Sequence, residues 1–126
     1  MRYLLDTTLI VDHAHGFEPA VQLLWRLYDE GGELFTCDVV VSEALSGGSD
    51  DHIEVVSRLL APLDYVATDP IAARRAGEAR RIRRQAGGKL GVGDALIAAV
   101  ADRLGATIVT RNRGDFERLG AAVLAY

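Results

Sequence analysis

Cysteine is nearly missing: Cys37 stands alone in 126 residues, so no disulfide can close within the chain and a reducing, cytoplasmic home is expected. Lysine is almost absent too, and arginine supplies nearly all the positive charge. No apolar run is long enough to span a bilayer, and the N-terminus lacks the charged region, apolar core and cleavage site of a signal peptide. No membrane span and no exported form are therefore expected. There is no internal repeat, no low-complexity tract and no linker that would split the chain. The formal net charge of -4 argues against a molecule that binds nucleic acid over its whole surface. What remains is ordinary for a globular protein: 49% hydrophobic and 25% charged residues. The length suits one domain over residues 1–126, with enough burial for a core of its own.

Short apolar runs alternate with helical spacing. Arg2-Tyr3-Leu4-Leu5 reads as a buried, central, parallel strand ending at Asp6-Thr7-Thr8. A short helix follows and breaks around His13-Ala14-His15-Gly16. Those histidines could touch a metal, but loop histidines without a third ligand are usually solvated. Glu18-Pro19 opens a helix with Val21, Leu24, Trp25 and Tyr28 spaced as one face. Glu33–Thr36 is a second strand, and Asp38 reads as the cap of a helix that carries Glu43. Ser49-Asp50-Asp51 caps the next helix, to Leu60. Tyr65–Ala67 is a third strand. Asp69-Pro70 then starts a helix from Ile71 to about Ala86 that bears Arg74, Arg75, Arg80, Arg81, Arg83 and Arg84, with alanines and Ile82 as its buried stripe. Gly87-Gly88-Lys89 leads into the apolar helix that begins Gly91-Val92-Gly93-Asp94 and closes at Gly105. Ala106–Thr110 and Ala121–Tyr126 complete the strands, with Asp115 between them. Strands separated by helices imply a three-layer α/β/α sandwich around a central, mainly parallel sheet.

The acids fall into a pattern. Asp6 and Asp115 each follow a buried strand, where ligands bind in parallel α/β folds. Asp94 heads a helix that runs into the strand before Asp115, so a right-handed crossover brings it to the same edge. Glu43 lies in a helix that follows another strand. Taken singly, each has a bland reading: a cap for Asp6 and Asp94, a solvated helix position for Glu43. Taken together, four converging carboxylates would repel one another and hold protons unless a cation joined them. All-oxygen ligands select Mg²⁺ or Mn²⁺, ions that serve phosphodiester hydrolysis. No P-loop, no G-x-G-x-x-G and no serine or cysteine triad offers another chemistry.

The segments Leu4-Leu5-Asp6-Thr7-Thr8, the Glu43 helix, Gly91–Ala99 and Thr110-Arg111-Asn112-Arg113-Gly114-Asp115-Phe116 resemble, in order and spacing, the acidic motifs of PIN-domain ribonucleases. The length and the basic helix before Asp94 resemble the VapC toxins of bacterial toxin–antitoxin pairs. The resemblance implies that Asp6, Glu43, Asp94 and Asp115 are the catalytic, Mg²⁺- or Mn²⁺-binding acids, and that Thr7 and Asn112 orient ligands or water. It also implies an RNA substrate, a homodimer and a small VapB-like antitoxin that blocks the site. Arg80, Arg84 and Lys89, close in sequence to the Asp94 helix, are the expected RNA contacts. Two other readings compete. One is a phosphatase or phosphoacceptor domain using Asp6, although Thr8 stands where a haloacid-dehalogenase pattern needs a second Asp. The other is a non-catalytic protein that binds a partner through the Arg74–Arg84 helix.

Overall fold

The computed structural model describes residues 1–126. Five strands, β1 (Arg2–Leu5), β2 (Glu33–Cys37), β3 (Asp64–Val66), β4 (Thr107–Thr110) and β5 (Val123–Ala125), form one sheet in the order β3-β2-β1-β4-β5. Every pairing is parallel. β1 is the central strand because Leu4 and Leu5 can be buried on both faces, and both are fully enclosed. The chain moves outward from β1 through β2 to β3, then returns to the other side for β4 and β5. The strand order thus reverses between β1 and β4, the place where parallel sheets open a crevice beyond their C-terminal ends.

Seven helices cover the sheet: α1 (Thr7–Ala14), α2 (Glu18–Asp29), α3 (Asp38–Ala44), α4 (Asp50–Leu60), α5 (Pro70–Gln85), α6 (Val92–Leu104) and α7 (Arg113–Glu117). α1 packs on α2, α3 and α4, whereas α6 packs on α5 and α7. Right-handed crossovers place these two groups on opposite faces. α3 also meets α6, and this contact closes one side of the crevice. α5 and α6 form an antiparallel pair. Arg103 grips Asp69 through Nε and Nη2 at 3.0 and 2.8 Å, and Arg75 reaches Asp102 at 2.6 Å, both near the start of α5 and the end of α6. The arginine-rich end of α5 therefore lies beside the start of α6. No helix is long and apolar enough to cross a membrane.

Several local expectations shift. The buried face of α2 is Ala20, Leu23, Leu24 and Leu27, while Trp25 and Tyr28 stand exposed. They line, with His13, Leu24, Arg58, Leu59 and Pro62, an apolar groove of about 390 Å³. On α5 only the alanines Ala72 and Ala76 are buried; Ile82 is 55% exposed, because α6 needs small partners for close approach and Ile82 lies off that stripe. Asp38 is the first residue of α3 and not its cap, which is Cys37. Its carboxylate spans to the loop after β3, accepting from Thr68 N (3.1 Å) and Thr68 Oγ1 (2.7 Å).

Candidate active site

Asp6 stands at the end of β1, at the reversal point of the sheet. The register pairs Leu5 with Val109, so Asp6 comes to rest beside Thr110 at the end of β4. Its backbone N–H donates to Val109 O (3.0 Å), extending the ladder by one residue. Asp6 occupies the N-cap position of α1, yet its side chain makes no capping bond. Instead Oδ2 accepts from Thr110 Oγ1 at 2.7 Å and from Thr8 Oγ1 at 3.0 Å. The two hydroxyls are themselves 3.2 Å apart, and Thr110 Oγ1 also accepts from Asn112 N at 2.9 Å. Oδ2 is thus held inside the protein while Oδ1 takes none of these bonds. The residue is only 3% exposed, the most buried acid in the chain.

Asp94 lies in the first turn of α6, whose N-cap is Gly91; it makes no capping hydrogen bond either. Burial first, then the charges of Asp6, Asp115 and Glu43, push its carboxyl up to about 6. Those three acids come from three other segments, and each lies near enough for its charge to act on Asp94. Glu43, on α3, is exposed, yet its carboxylate is held. Thr7 Oγ1 donates to Oε1 at 3.0 Å, and a Cβ added to Gly93 would lie 3.1 Å from Oε2. Any side chain at residue 93 would press on that carboxylate. Asp115, on α7, accepts from Asn112 Nδ2 at 2.9 Å and faces Arg118 Nη1 at 3.8 Å.

The four acids therefore share one cleft, at the C-terminal edge of the sheet. None of the chain's ion pairs includes Asp6, Glu43 or Asp94. The cleft carries excess negative charge with one distant arginine at its rim. No three His, Cys, Asp or Glu side chains close on a single point by themselves. An ion here would be held by one or two carboxylates, with water and substrate oxygens completing its shell, which is how Mg²⁺ is usually bound. On the donor types and the unbalanced charge, the residues fit such an ion.

Other predicted residues lie apart. Arg80 is half-buried, its Nε donating to Leu90 O at 3.1 Å. Arg84 and Lys89 are exposed, and neither takes part in an ion pair. Glu78 pairs with none of the α5 arginines, and Arg75 pairs with Asp102 of α6. His13 points into the apolar groove, and burial lowers its pKa. His15 stacks on His52 with ring centroids 4.8 Å apart. Cys37 is fully buried, and burial pushes its thiol up, away from thiolate chemistry. Thr8, Thr110 and Gly93 escaped the reading of the sequence. Their roles depend on strand register and on the α3–α6 contact, neither of which a single sequence displays.

Comparison with known proteins bears on family and fold. The PIN domain model matches residues 3–122. Ribonuclease VapC11 of Mycobacterium tuberculosis is 35% identical over 119 residues, covering 90% of this chain and 88% of its own. The tRNA(fMet)-specific endonuclease VapC of Shigella flexneri is 25% identical over 125 residues, covering 95% and 93%. Among solved structures, VapBC2 from Rickettsia felis, bound to a DNA fragment from its promoter, superposes with a TM-score of 0.85 at 22% identity, covering 100% of this chain and 99% of the other. A toxin–antitoxin complex from Klebsiella pneumoniae gives 0.77 at 24% identity, covering 98% of each.

Proposed function

This chain belongs to the PIN-domain family, and on that premise we propose that it is a divalent-metal-dependent endoribonuclease, the toxin of a toxin–antitoxin pair. The observation that carries the reading is geometric: Asp6, at the end of β1, is buried with one carboxylate oxygen unbonded, Asp94, Glu43 and Asp115 come to the same sheet edge from three helices, and no ion pair includes Asp6, Glu43 or Asp94. Structural acids would be capped or ion-paired; Asp6, Glu43 and Asp94 are neither, and Asp115 meets only Arg118, at 3.8 Å. The phosphatase and partner-binding alternatives draw no support from the relatives.

When bound, Mg²⁺ or Mn²⁺ would supply activation of a water and charge stabilisation on the phosphoryl oxygens. The chain's own residues prepare the place. Thr8 and Thr110 hold Asp6 Oδ2, which leaves Oδ1 for a ligand. Thr7 orients Glu43, and Asn112 orients Asp115. Asp94, its carboxyl raised to about 6, is mostly ionised at neutral pH, and a bound cation would favour that form further. Bidentate arginine is the natural protein substitute for that charge, so a small VapB-like antitoxin would block the cleft by inserting an Arg or Lys among the acids. The reading also includes a homodimer in the cytoplasm.

The test uses purified protein and bulk RNA. Cleavage is expected with Mg²⁺ or Mn²⁺, and loss of cleavage with EDTA. Cutting that persists in EDTA, or in the Asp6→Asn variant, would overturn the assignment of these acids.

A further inference from the structure

Arg111 is the residue between two that touch the acids. Thr110 before it bonds Asp6, and Asn112 after it bonds Asp115. Its own backbone N–H donates to Thr8 Oγ1 at 3.2 Å, so its main chain is fixed by the same hydroxyl that holds Asp6. Its side chain leaves the cleft floor and crosses to α1, where Nε stands 3.1 Å from Asp12 Oδ2. The Asp12 side chain is only 14% exposed, against 60% for Arg111. The same Asp12 oxygen accepts from the Tyr126 hydroxyl at 2.7 Å. Burial and the Asp12 carboxylate raise the Tyr126 pKa well above its ordinary value, so the hydroxyl stays a donor. Asp12 is therefore a sunken anchor held from a second side, and its carboxylate forms an ion pair at the inner edge of the Arg111 guanidinium.

Arg2 carries an outer nitrogen to a backbone acceptor, Leu104 O at 3.0 Å. Arg111 leaves both Nη groups without a protein acceptor and most of the side chain in solvent. Asp12 lies about 8 Å along α1 from its first residue, at 1.5 Å per residue. That offset sets the Arg111–Asp12 contact back from the first turn of α1, which Asp6 precedes.

We propose that Arg111, presented by Asp12 and Tyr126, contacts an RNA phosphate that flanks the one being cut. This rests on the ribonuclease reading. A planar guanidinium with two outward N–H edges suits a phosphate, and a fixed one loses little freedom on binding it. It gives the strand a register against the acids without reading its bases.

The experiment measures binding of a fluorescein-labelled single-stranded RNA oligonucleotide by anisotropy over a range of salt, in Mg²⁺ and on an Asp94→Asn background. Steady-state cleavage of bulk RNA is followed in the otherwise unchanged protein. Arg111→Ala should flatten the slope of log affinity against log salt by about 0.7, the loss of one single-strand phosphate contact. Its KM should rise while kcat stays within about two-fold. Arg111→Lys should keep the slope, which guards against a folding defect in the alanine variant. Arg113→Ala, which removes an equal charge from an arginine paired with Glu117 on α7, should leave the slope unchanged. Equal effects from Arg111→Ala and Arg113→Ala would reduce Arg111 to net charge and overturn the proposal. So would an unchanged slope, or a loss confined to antitoxin binding. If the parent neither binds nor cuts RNA, the ribonuclease reading fails and this proposal with it; if the parent does both and Arg111→Ala matches it, only the proposal fails.

Discussion

The carboxylate of Glu43 lies against the backbone of Gly93, with Oε2 3.1 Å from where a β-carbon would sit. α3 and α6 come together at this point, and only the absence of a side chain lets the Glu43 tip settle there with Thr7 on its other oxygen. Gly93→Ala is therefore expected to separate stability from activity. Alanine is the better helix former by about 1 kcal/mol, and the atom it meets is the end of a flexible side chain. The melting temperature should hold or rise. Displacing Glu43 by a few tenths of an ångström should slow cleavage on the order of 3- to 10-fold, since small misplacements of aligned groups are costly. Melting curves and cleavage rates on the same preparation check both halves. Full activity in a stable variant would remove Glu43 from the site.

Asp94 makes metal-free protein less stable as pH rises. Its carboxyl is raised from an unfolded value of 3.8 to about 6, by burial first and then by the charges of Asp6, Asp115 and Glu43. Between those values the folded state binds more protons than the unfolded chain, so stability falls with pH. The contribution is fully present below about pH 4 and lost as pH passes through 6. With the half-exposed site screened by water, the loss is on the order of 1–2 kcal/mol. In EDTA, Asp94→Asn should melt a few degrees above the parent at pH 7.5 and level with it near pH 4. Excess Mg²⁺ should narrow the gap at pH 7.5, and RNA cleavage by the variant should be abolished. A variant that melts well below the parent at pH 7.5 would make Asp94 structural.

How much of this was legible depends on the range of each interaction. Leu4-Leu5 before Asp6, and Ile108-Val109 before Thr110, announce buried parallel strands by composition alone, so the edge that carries Asp6 and Asp115 could be read directly. The helix order placed Asp94 and Glu43 at that edge. The anchors were not readable. Thr110 holds Asp6 only because the register pairs Leu5 with Val109, and a run of apolar residues does not encode register. Trp25 and Tyr28 misled for a related reason: at helical spacing they match Val21 and Leu24, yet the stripe facing the core is rotated to Ala20, Leu23, Leu24 and Leu27. Ile82 shows that apolar character does not fix burial when the neighbouring helix approaches on alanines.

Thr110 tests the anchoring of Asp6 directly. Its hydroxyl serves Asp6 Oδ2, Thr8 Oγ1 and Asn112 N at once, in a fully buried position. Thr110→Val keeps the shape and removes every one of those bonds. Asp6 would retain Thr8, while the Asn112 N–H would lose its partner, at a cost of about 1–3 kcal/mol. Because Asn112 also orients Asp115, cleavage should fall by more than the melting temperature suggests. Thr110→Ser should recover most of both, since it restores the hydroxyl. Equal loss in the serine and valine variants would point to packing of the methyl group and away from the hydrogen bonds.

The arginine end of α5 divides into two roles that one pair of substitutions can separate. Arg80 and Arg84 are one turn apart and share a side of the helix. Arg80 is half-buried and its Nε holds Leu90 O, at the end of the glycine-rich lead-in to α6. Arg84 is exposed and in no ion pair, one turn nearer that lead-in. Arg84→Ala should therefore act on RNA alone, flattening the salt dependence of binding by about 0.7 with kcat at saturating RNA unchanged. Arg80→Ala should also cost stability, about 1 kcal/mol for a partly buried hydrogen bond, because the Leu90 carbonyl loses its donor. Its kcat should fall as well, since the loosened segment leads directly to Gly93 and Asp94. Salt-dependent anisotropy with labelled single-stranded RNA, thermal melts and saturating cleavage rates distinguish the two. If the double variant binds RNA with the parent's salt slope, α5 is a solvated face or a protein interface, and RNA reaches the acids from the Arg111 side without it.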